Sequence, residues 1–580
     1  MLNRLDHAIV GGLVLVLAVI TVAIGAPALG PGIASPSASP NLPEVVTYRE
    51  GTLGRPMSVN PLAARTQVDR DLVALAFAGL VRLGADGSIV PDLAARWTSD
   101  PAGRSWTFEM RADARWHDGQ PVTANDVVFT VRTLRDAAYQ GPGAGSWNEV
   151  TATALGTRTV RFDLTTPIGG FLQLATQPIA PAHLLDLVPI ESLATDPFGQ
   201  TPVGSGPYAV VELDDGHAVL EPASSVAQPA TDGANPPNAS GAIPTDTVAT
   251  PMPTKRPAGA TPSIGRIELR FFDDAASLEA AFEAGDLDAA SGLPPADAKA
   301  LAASANARTL AYPGTTLTTI LLNLRPSHPE LRDPRVRRAL LSAIDRPAII
   351  GSVFGGLAKS ADSPIPPTSW AFDPVASPAI APNAKAAAAG LTKAGWKKTG
   401  GHWRPAGAKD PYTLELLGPN ETTNPALAAI ARAVAADWEA IGMTVKVVEE
   451  DAGSPLIDTL AEGTFTAAAV DVSIGHDPDL YPLLASSQTQ TGGLNVIGLQ
   501  DASLDALLVA ARRPGTTDAR KAAFKALETQ LSAGTFVLPI AFADEVVVAR
   551  SNLQEVVVQP VGDPSDRFWD VLTWRLANDR

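Results

Sequence analysis

Histidines are the first residues to consider for metal binding or acid–base catalysis, and the chain has seven of them. No two have the i, i+4 spacing that places metal ligands on one helix face, and no H-E-x-x-H motif occurs. The stretch His476–Asp479 (HDPD) could donate metal ligands, although a solvated turn is the better interpretation. His117–Gly119 (HDG) also indicates a turn more than a catalytic base. The sequence therefore predicts no metal site.

Motifs for nucleophilic or phosphate chemistry are also missing. A serine hydrolase elbow reads G-x-S-x-G, and the nearest stretch, Val203–Pro207 (VGSGP), does not match it. No G-x-x-x-x-G-K-[ST] loop occurs, and no G-x-G-x-x-G stands at a strand–helix junction. The absence of cysteine excludes disulfides, thiolate metal sites and cysteine nucleophiles. We expect a protein that is not an enzyme and binds no cofactor.

Composition sets the broad class. Hydrophobic residues make up 45% of the 580 residues and charged residues 18%, so most of the chain can bury a core. The net charge is −17, with 44 Lys and Arg against 61 Asp and Glu. Nucleic-acid binding needs clustered basic charge, so this balance argues against it.

The N-terminus carries the longest apolar run, from Ala8 to Ala26, with Arg4 before it and no Lys or Arg again until Arg49. A helix of this length spans about 28 Å, close to the thickness of a bilayer core. An uncleaved anchor, a cleaved signal segment and a buried core helix are the alternatives, and the first is favoured. The first two both place the rest of the chain outside the cytoplasmic membrane.

The remainder alternates strand-like and helix-like patterns, which predicts an α/β fold. Asn424 and Pro425 begin a helix that Gly442 ends, Thr123 and Asp126 resemble a capping box, and Thr159–Leu164 is a strand. A strand is also expected at Phe536–Phe542. One segment differs: nine prolines and no aromatic residue lie between Pro222 and Pro262. Such a stretch buries too little apolar area to offset its ordering entropy, so we expect a disordered insertion, with a domain linker as the alternative.

A helix is also expected at 333–346 (DPRVRRALLSAIDR), capped by Asp333, with Val336, Leu340, Ala343 and Ile344 as its buried face. In an acidic chain its arginines are expected to be exposed and ion-paired. With 321–324 (LLNL) before it, this stretch resembles the signature of the extracytoplasmic solute-binding proteins of ABC transporters, peptide/nickel-binding family. Similar matches follow in the family's order at 89–97 (IVPDLAARW), 106–130 (WTFEMRADARWHDGQPVTANDVVFT), 202–208 (PVGSGPY), 277–288 (SLEAAFEAGDLD), 364–374 (PIPPTSWAFDP), 389–396 (AGLTKAGW), 476–481 (HDPDLY) and 519–542.

The resemblance implies a two-lobed, periplasmic-binding-protein-like fold with an extra, family-specific domain in the first lobe and a ligand cleft between the lobes. Crossings near Gly204-Ser205-Gly206 and Pro313-Gly314 would form the hinge. The implied divisions are a membrane anchor or signal segment at 1–28, a flexible linker at 29–43, lobe I at 44–76 with 204–312 and 543–580, the insertion at 222–263 within it, the extra domain at 77–203, and lobe II at 313–542.

By motif position, the residues implied near the cleft are Arg55, Met57, Asn323, Trp370, Asp471, Ser473 and His476. Plainer alternatives stay open: Met57 packed, Asn323 a satisfied strand-end amide, Trp370 in the core, Asp471 structural. Two departures from the family pattern bear on the ligand. The Asp that holds a peptide amino group would fall on Ile474 or Gly475, with Asp471 the nearest acid. The usual Asn-Pro-x-Tyr-Trp stretch is replaced by the insertion.

The resemblance implies a monomeric, non-enzymatic protein that captures a small solute and delivers it to the transmembrane permease subunits of an ABC importer. Short peptides are the default ligand, with opines, sugars or metal chelates as alternatives. Nickel itself fits less well because histidines are few. A membrane-tethered sensor or scaffold with the same fold is the second hypothesis. An extracellular hydrolase is the third, and it lacks a nucleophile motif.

Overall fold

The computed structural model describes residues 45–84, 88–223, 262–303, 307–490 and 493–577. The predicted anchor or signal segment, the linker and all but the ends of the proline-rich insertion lie outside these residues. In the described part of the chain, no helix is both long enough and apolar enough to cross a membrane.

The α-helices are α1 (Gln67–Ala76), α2 (Ala124–Arg135), α3 (Phe171–Leu174), α4 (Ala182–Leu185), α5 (Ala275–Ala284), α6 (Pro295–Ala302), α7 (Pro334–Ala343), α8 (Arg346–Val353), α9 (Ala384–Lys393), α10 (Pro425–Ala440), α11 (Ser454–Glu462), α12 (Tyr481–Leu484), α13 (Ala502–Arg512) and α14 (Thr517–Gly534). Short 3₁₀ helices occur at Ile190–Ser192, Pro197–Gly199, Pro329–Leu331, Ser486–Thr489 and Pro564–Asp570.

The strands are β1 (Thr47–Leu53), β2 (Val81–Leu83), β3 (Ile89–Pro91), β4 (Ala94–Ser99), β5 (Ser105–Met110), β6 (Val150–Gly156), β7 (Thr159–Leu164), β8 (Tyr208–Leu213), β9 (His217–Pro222), β10 (Arg266–Phe272), β11 (Ala289–Ser291), β12 (Ala307–Leu322), β13 (Ala358–Ser360), β14 (Lys397–Thr399), β15 (His402–Arg404), β16 (Thr413–Pro419), β17 (Thr444–Glu450), β18 (Ala467–Ser473), β19 (Val537–Arg550), β20 (Leu553–Gln554) and β21 (Arg575–Leu576).

An 11-stranded sheet runs through the molecule in the order β17-β16-β18-β12-β19-β11-β1-β10-β9-β8, with β13 also paired to β19. The two long central strands, β12 and β19, pair antiparallel over most of their length, and their register shifts between Pro313 and Leu317. They divide the sheet into a first half-sheet (β1 and β8–β11) and a second half-sheet (β13 and β16–β18). A separate four-stranded sheet has the order β4-β5-β7-β6.

Each half-sheet belongs to its own hydrophobic core. Tyr312 on β12 packs into a core shared by the first half-sheet and the four-stranded sheet, whereas Leu317 on the same strand packs into the core of the second half-sheet. On β19, Phe542 and Val547 divide between these two cores in the same way. The connecting strands therefore carry the chain from one core to the other, which explains why β19 extends beyond the predicted 536–542.

Several local predictions are confirmed by hydrogen bonds at helix starts. The Asn424 side chain accepts from the backbone N–H of Leu427 at 3.1 Å, and Pro425 is the first residue of α10. Asp126 accepts from the backbone N–H of Thr123 at 2.7 Å, which closes the predicted capping box. Capping by such side chains supplies partners for N–H groups that the helix leaves unpaired.

The prediction that the arginines of 333–346 are exposed and ion-paired holds for Arg335, which pairs with Asp333 at 2.6 Å. Arg346 pairs with Asp362 at 3.2 Å but is buried, and the prediction is wrong for Arg337. Arg337 is 4% exposed and donates to the carbonyls of Gly534 and Thr535 at 3.0 and 2.9 Å. Those carbonyls stand at the C-terminal end of α14, where a helix leaves acceptors unpaired and favours positive charge. Arg337 is thus a buried cap for another helix.

Candidate ligand-binding site

The strand directions bring several predicted site residues to one region. β16 runs parallel to both β17 and β18, so the carboxyl ends of these strands lie on one edge of the second half-sheet. β1 runs parallel to β10 and β11, which defines the matching edge of the first half-sheet. β11 and β12 are both antiparallel to β19, so β12 leaves the first half-sheet at its carboxyl edge. Ligands of open α/β sheets bind beyond the carboxyl ends of strands.

Asp471 and Ser473 lie near the carboxyl end of β18, at the carboxyl edge of the second half-sheet. They are two residues apart on β18 and therefore project from the same face. Both side chains are exposed, whereas 467–470 of the same strand are buried. Across the sheet, Thr318 pairs with Asp471 and Thr316 with Ser473. The Thr318 hydroxyl donates to the Asp471 carboxylate at 2.6 Å.

The Asp471 carboxylate reaches solvent but is densely surrounded by protein. Burial raises its pKa, and hydrogen bonds from Thr318 and Asn424 oppose this shift. These two partners are neutral, so they leave the negative charge uncompensated. A cation or an N–H donor reaching this carboxylate would form a charge-assisted hydrogen bond. The sequence analysis did not place Thr318 and Asn424 beside Asp471, because they lie about 150 and 50 residues from it along the chain.

On the opposite edge, Arg55 and Met57 follow β1. The Arg55 guanidinium binds both carboxylate oxygens of Asp273 at 2.8 Å and also donates to the Asp215 carbonyl. Its donors are therefore partly occupied by the protein itself. Met57 is 66% exposed, so its side chain is not packed. Exposed thioethers adapt easily to varied apolar surfaces.

Asn323 is completely buried at the end of β12. Its amide nitrogen donates to the carbonyls of Gly463 and Phe465 at 3.0 and 2.7 Å, and its oxygen accepts from the Arg325 backbone at 3.1 Å. Both donors are used and no surface is exposed. Asn323 consequently supports the strand end and has nothing to offer a ligand.

The predicted turn at His476–Asp479 is present, but the prediction that it is solvated is wrong. Asp477 forms two hydrogen bonds with Arg520 at 2.7 and 2.8 Å, and Asp479 pairs with Arg512 at 2.9 Å. His476 is 12% exposed at its side chain, and its Nε2 lies 3.6 Å from the Asp566 carboxylate of the C-terminal segment. The turn is a partly buried group of ion pairs, because arginines from α13 and α14 fold back onto it.

Trp370 lies beside that turn. Its half-buried indole meets the Phe524 ring edge-on at 5.3 Å between centroids. The Arg520 guanidinium stacks over the indole at 4.6 Å. Trp370 and Asp477 therefore share Arg520, which is an arrangement that the sequence did not indicate.

The predicted hinge residues separate into two groups. Pro313 and Gly314 lie on β12 at its register shift, where the Val561 N–H donates to the Pro313 carbonyl at 2.9 Å. Gly204, Ser205 and Gly206 lie on neither connecting strand. The Gly206 N–H donates to the Ala76 carbonyl at 2.8 Å, at the end of α1. The chain passes between the half-sheets only through β12 and β19 within the described residues, so of the predicted hinge residues only Pro313 and Gly314 lie on a connecting strand, and the hinge itself stays a prediction.

One group of possible metal ligands was missed by the sequence analysis. Side-chain atoms of Glu212, Asp214 and His217 converge within 4.8 Å at the turn between β8 and β9. The Asp214 oxygen already accepts from the backbone N–H groups of Gly216 and His217 at 2.7 and 2.8 Å. These bonds close the turn, which is the structural role of the cluster.

Comparison with known proteins agrees with this architecture. The model of the bacterial extracellular solute-binding proteins, family 5 Middle, matches residues 88–493. Oligopeptide-binding protein AppA of Bacillus subtilis (strain 168) is 26% identical over 469 residues, which cover 79% of each chain. The solved structure of AppA in complex with a nonapeptide has a TM-score of 0.69 at 22% identity and covers 92% of this chain and 99% of that one.

A second solved structure, NikZ from Campylobacter jejuni in complex with Ni(L-His), has a TM-score of 0.68 at 22% identity and covers 91% of this chain and 99% of that one. These likenesses confirm the predicted two-lobed, periplasmic-binding-protein-like α/β fold. The family model covers more than half of the chain and includes the connecting strand β12 but not β19. The chain therefore belongs to the bacterial extracellular solute-binding proteins, family 5.

Proposed function

We propose that this protein is the extracytoplasmic solute-binding component of an ABC importer. It captures a small solute, a short peptide or peptide-like compound, between the carboxyl edges of its two half-sheets. It then delivers the solute unchanged to the transmembrane permease subunits. The observation that carries the proposal is Asp471, a carboxylate with neutral partners at the edge where the connecting strands leave the second half-sheet. The name of one relative, Oligopeptide-binding protein AppA, supports a peptide ligand.

The position of Asp471 limits which ligands could bind. Ile474 is buried and Gly475 has no side chain, so neither can hold an amino group. Strand residues advance about 3.3 Å each and the chain leaves β18 after Ser473, so Asp471 lies at most about 10–13 Å from the position where the family pattern would put its acid. A ligand amine held by Asp471 would lie alongside β18 and not beyond its carboxyl end. A cationic, peptide-like solute that differs from an ordinary peptide in length or shape fits this displacement.

Asp471→Asn tests the proposal. The full chain is screened by thermal shift against mixtures of di- to nonapeptides, opines, sugars and metal–amino acid chelates. A ligand at 100 times its dissociation constant raises stability by about 2.7 kcal/mol, which is easily seen. We expect a cationic hit whose affinity falls at least tenfold in Asp471→Asn, the loss of one charge-assisted bond. Asp458→Asn, an exposed acid on α11, is the matched control. Equal affinity in both variants would remove Asp471 from the site.

A further inference from the structure

Two glycines of the segment between β7 and α3 pack directly onto the second half-sheet's helices. A β-carbon placed on Gly169 would lie 2.8 Å from the Arg512 carbonyl oxygen and 2.8 Å from an Arg520 guanidinium nitrogen. A β-carbon on Gly170 would lie 3.1 Å from the Asp477 carboxyl carbon. The backbone of this segment therefore approaches as closely as it does because it carries no side chains there.

The surface that receives the glycines consists of two ion pairs, Asp477–Arg520 and Asp479–Arg512. The side chains of Asp477 and Arg520 are 16% and 14% exposed. Arg520 is further fixed by the indole of Trp370 beneath it, and the Arg512 guanidinium stacks over the Tyr481 ring at 4.5 Å. Both guanidinium groups are thus held in place by bonds within the second half-sheet's own elements, and none of these bonds needs the glycines.

A second contact lies close by. Gly103, in the turn between β4 and β5, packs against the ring of Pro514, which follows α13. Gly103 and Gly169 therefore both contact one short stretch of the second half-sheet's helices, residues 512–520, and Gly170 contacts Asp477, which is paired to that stretch through Arg520. The atoms nearest to a β-carbon at Gly169 or Gly170 belong to Arg512, Arg520 and Asp477. Contacts with partly exposed ion pairs of this kind cost little to open in water.

We propose that Gly169 and Gly170, seated on the Asp477–Arg520 and Asp479–Arg512 ion pairs, form a reversible latch between the four-stranded sheet's segment and the second half-sheet. When the latch is closed, the backbone of 169–170 covers the two ion pairs. When it opens, both pairs remain formed and become hydrated. The latch sets how long the molecule stays closed, whichever solute it carries.

The chain contains no cysteine, so a disulfide between two introduced cysteines reports the contact without interference from native thiols. In Gly170→Cys with Asp477→Cys, the two β-carbons would start 3.2 Å apart, within a few tenths of an ångström of the 3.5–4.5 Å of a disulfide. Gly156→Cys with Asp477→Cys is the control, because nothing lies within 4 Å of a β-carbon at Gly156. We expect the first pair to cross-link under mild oxidation at least tenfold faster than the control in the full chain.

A second measurement keeps the natural ion pairs. Spin labels are placed at Thr153→Cys on β6 and Lys385→Cys on α9, both exposed, and the distance distribution is measured with and without Gly169→Ala. We expect Gly169→Ala to shift the distribution towards longer distances, whereas Gly156→Ala leaves it unchanged. Cross-linking at the control rate, or an unchanged distribution in Gly169→Ala, would overturn the latch. Neither readout uses a ligand, so failure of the latch and failure of the proposed transport function give different results.

Discussion

Arg567 and Asp71 form a bidentate ion pair in the core of the first half-sheet, with both N···O distances 2.7 Å. The same guanidinium binds Glu50 on β1 at 2.7 Å, and the three side chains are at most 4% exposed. Burial opposes charge on Arg567, but the two carboxylates outweigh it and hold the pKa of this guanidinium well above its usual value. The cluster fastens the C-terminal segment to β1 and α1.

Removing Arg567 leaves two acids buried without their partner. We expect Arg567→Met to lower the free energy of unfolding by about 3–5 kcal/mol, the usual cost of breaking a buried ion pair on one side. Chemical denaturation of the full chain measures it. Arg575→Met is the control, because the Arg575–Glu555 pair is 60% and 51% exposed and its loss should cost less than about 1 kcal/mol. Equal effects of the two variants would contradict the importance of the cluster.

Stability should increase as the pH falls from 8 to about 5.5. Burial raises the pKa of Glu545 to about 7, of Glu528 to about 7 and of Asp570 to about 6. In the unfolded chain these groups have pKa values near 4, so between these limits the folded protein binds protons that the unfolded chain does not. Lowering the pH through this window therefore favours the folded state.

The melting temperature across this pH range measures the effect. Glu528→Gln should reduce the pH dependence of the melting temperature, because the amide does not titrate. The amide oxygen can still accept from the Asp373 backbone N–H that Glu528 binds at 2.7 Å, so this hydrogen bond is kept. Glu462→Gln, at the exposed end of α11, should leave it unchanged. A melting temperature that is constant or falls between pH 8 and 5.5 would contradict the raised pKa values.

Asn323→Ala separates support of the fold from contact with ligand. Loss of the amide leaves the buried carbonyls of Gly463 and Phe465 without their donor, and we expect a destabilisation of about 1–3 kcal/mol. Solute affinity at a temperature where the variant is folded should be unchanged. The exposed Asn148→Ala is the stability control. An affinity loss of tenfold or more in folded Asn323→Ala would return this residue to the ligand site.

Local patterns allowed the helix starts to be predicted, because a cap needs only residues three positions apart, as at Asn424 and Thr123. The course of β12 and β19 through two cores could not be predicted from local patterns, since it depends on pairings between strands more than 200 residues apart; only the family resemblance implied chain crossings near 313 and 543. The same reason explains the wrong prediction for Arg337. Its acceptors at Gly534 and Thr535 are distant in sequence, and the acidic composition of the chain favoured a surface position for it.

The candidate site also contains some features that the sequence indicated and others that it did not. Asp471 and Ser473 were implied by motif position in the family resemblance, and alternation along β18 puts them on one face. The carbonyls that occupy Asn323 and the arginines that occupy Asp477 and Asp479 come from other elements, and no spacing in the sequence reveals them. The family resemblance, based on motifs in the expected order, predicted the fold. The partners of each side chain depend on long-range packing and could not be predicted.

Native mass spectrometry of the full chain after incubation with the mixed solute library tests the central claim most directly. The account predicts that one class of compound is retained at one molecule per chain and recovered with unchanged mass. It also predicts loss of that compound in Ser473→Trp, which fills the carboxyl edge of β18, and retention in Thr153→Trp on the exposed strand β6. Retention of no compound, equal retention by Ser473→Trp, or recovery of a chemically altered compound would contradict it.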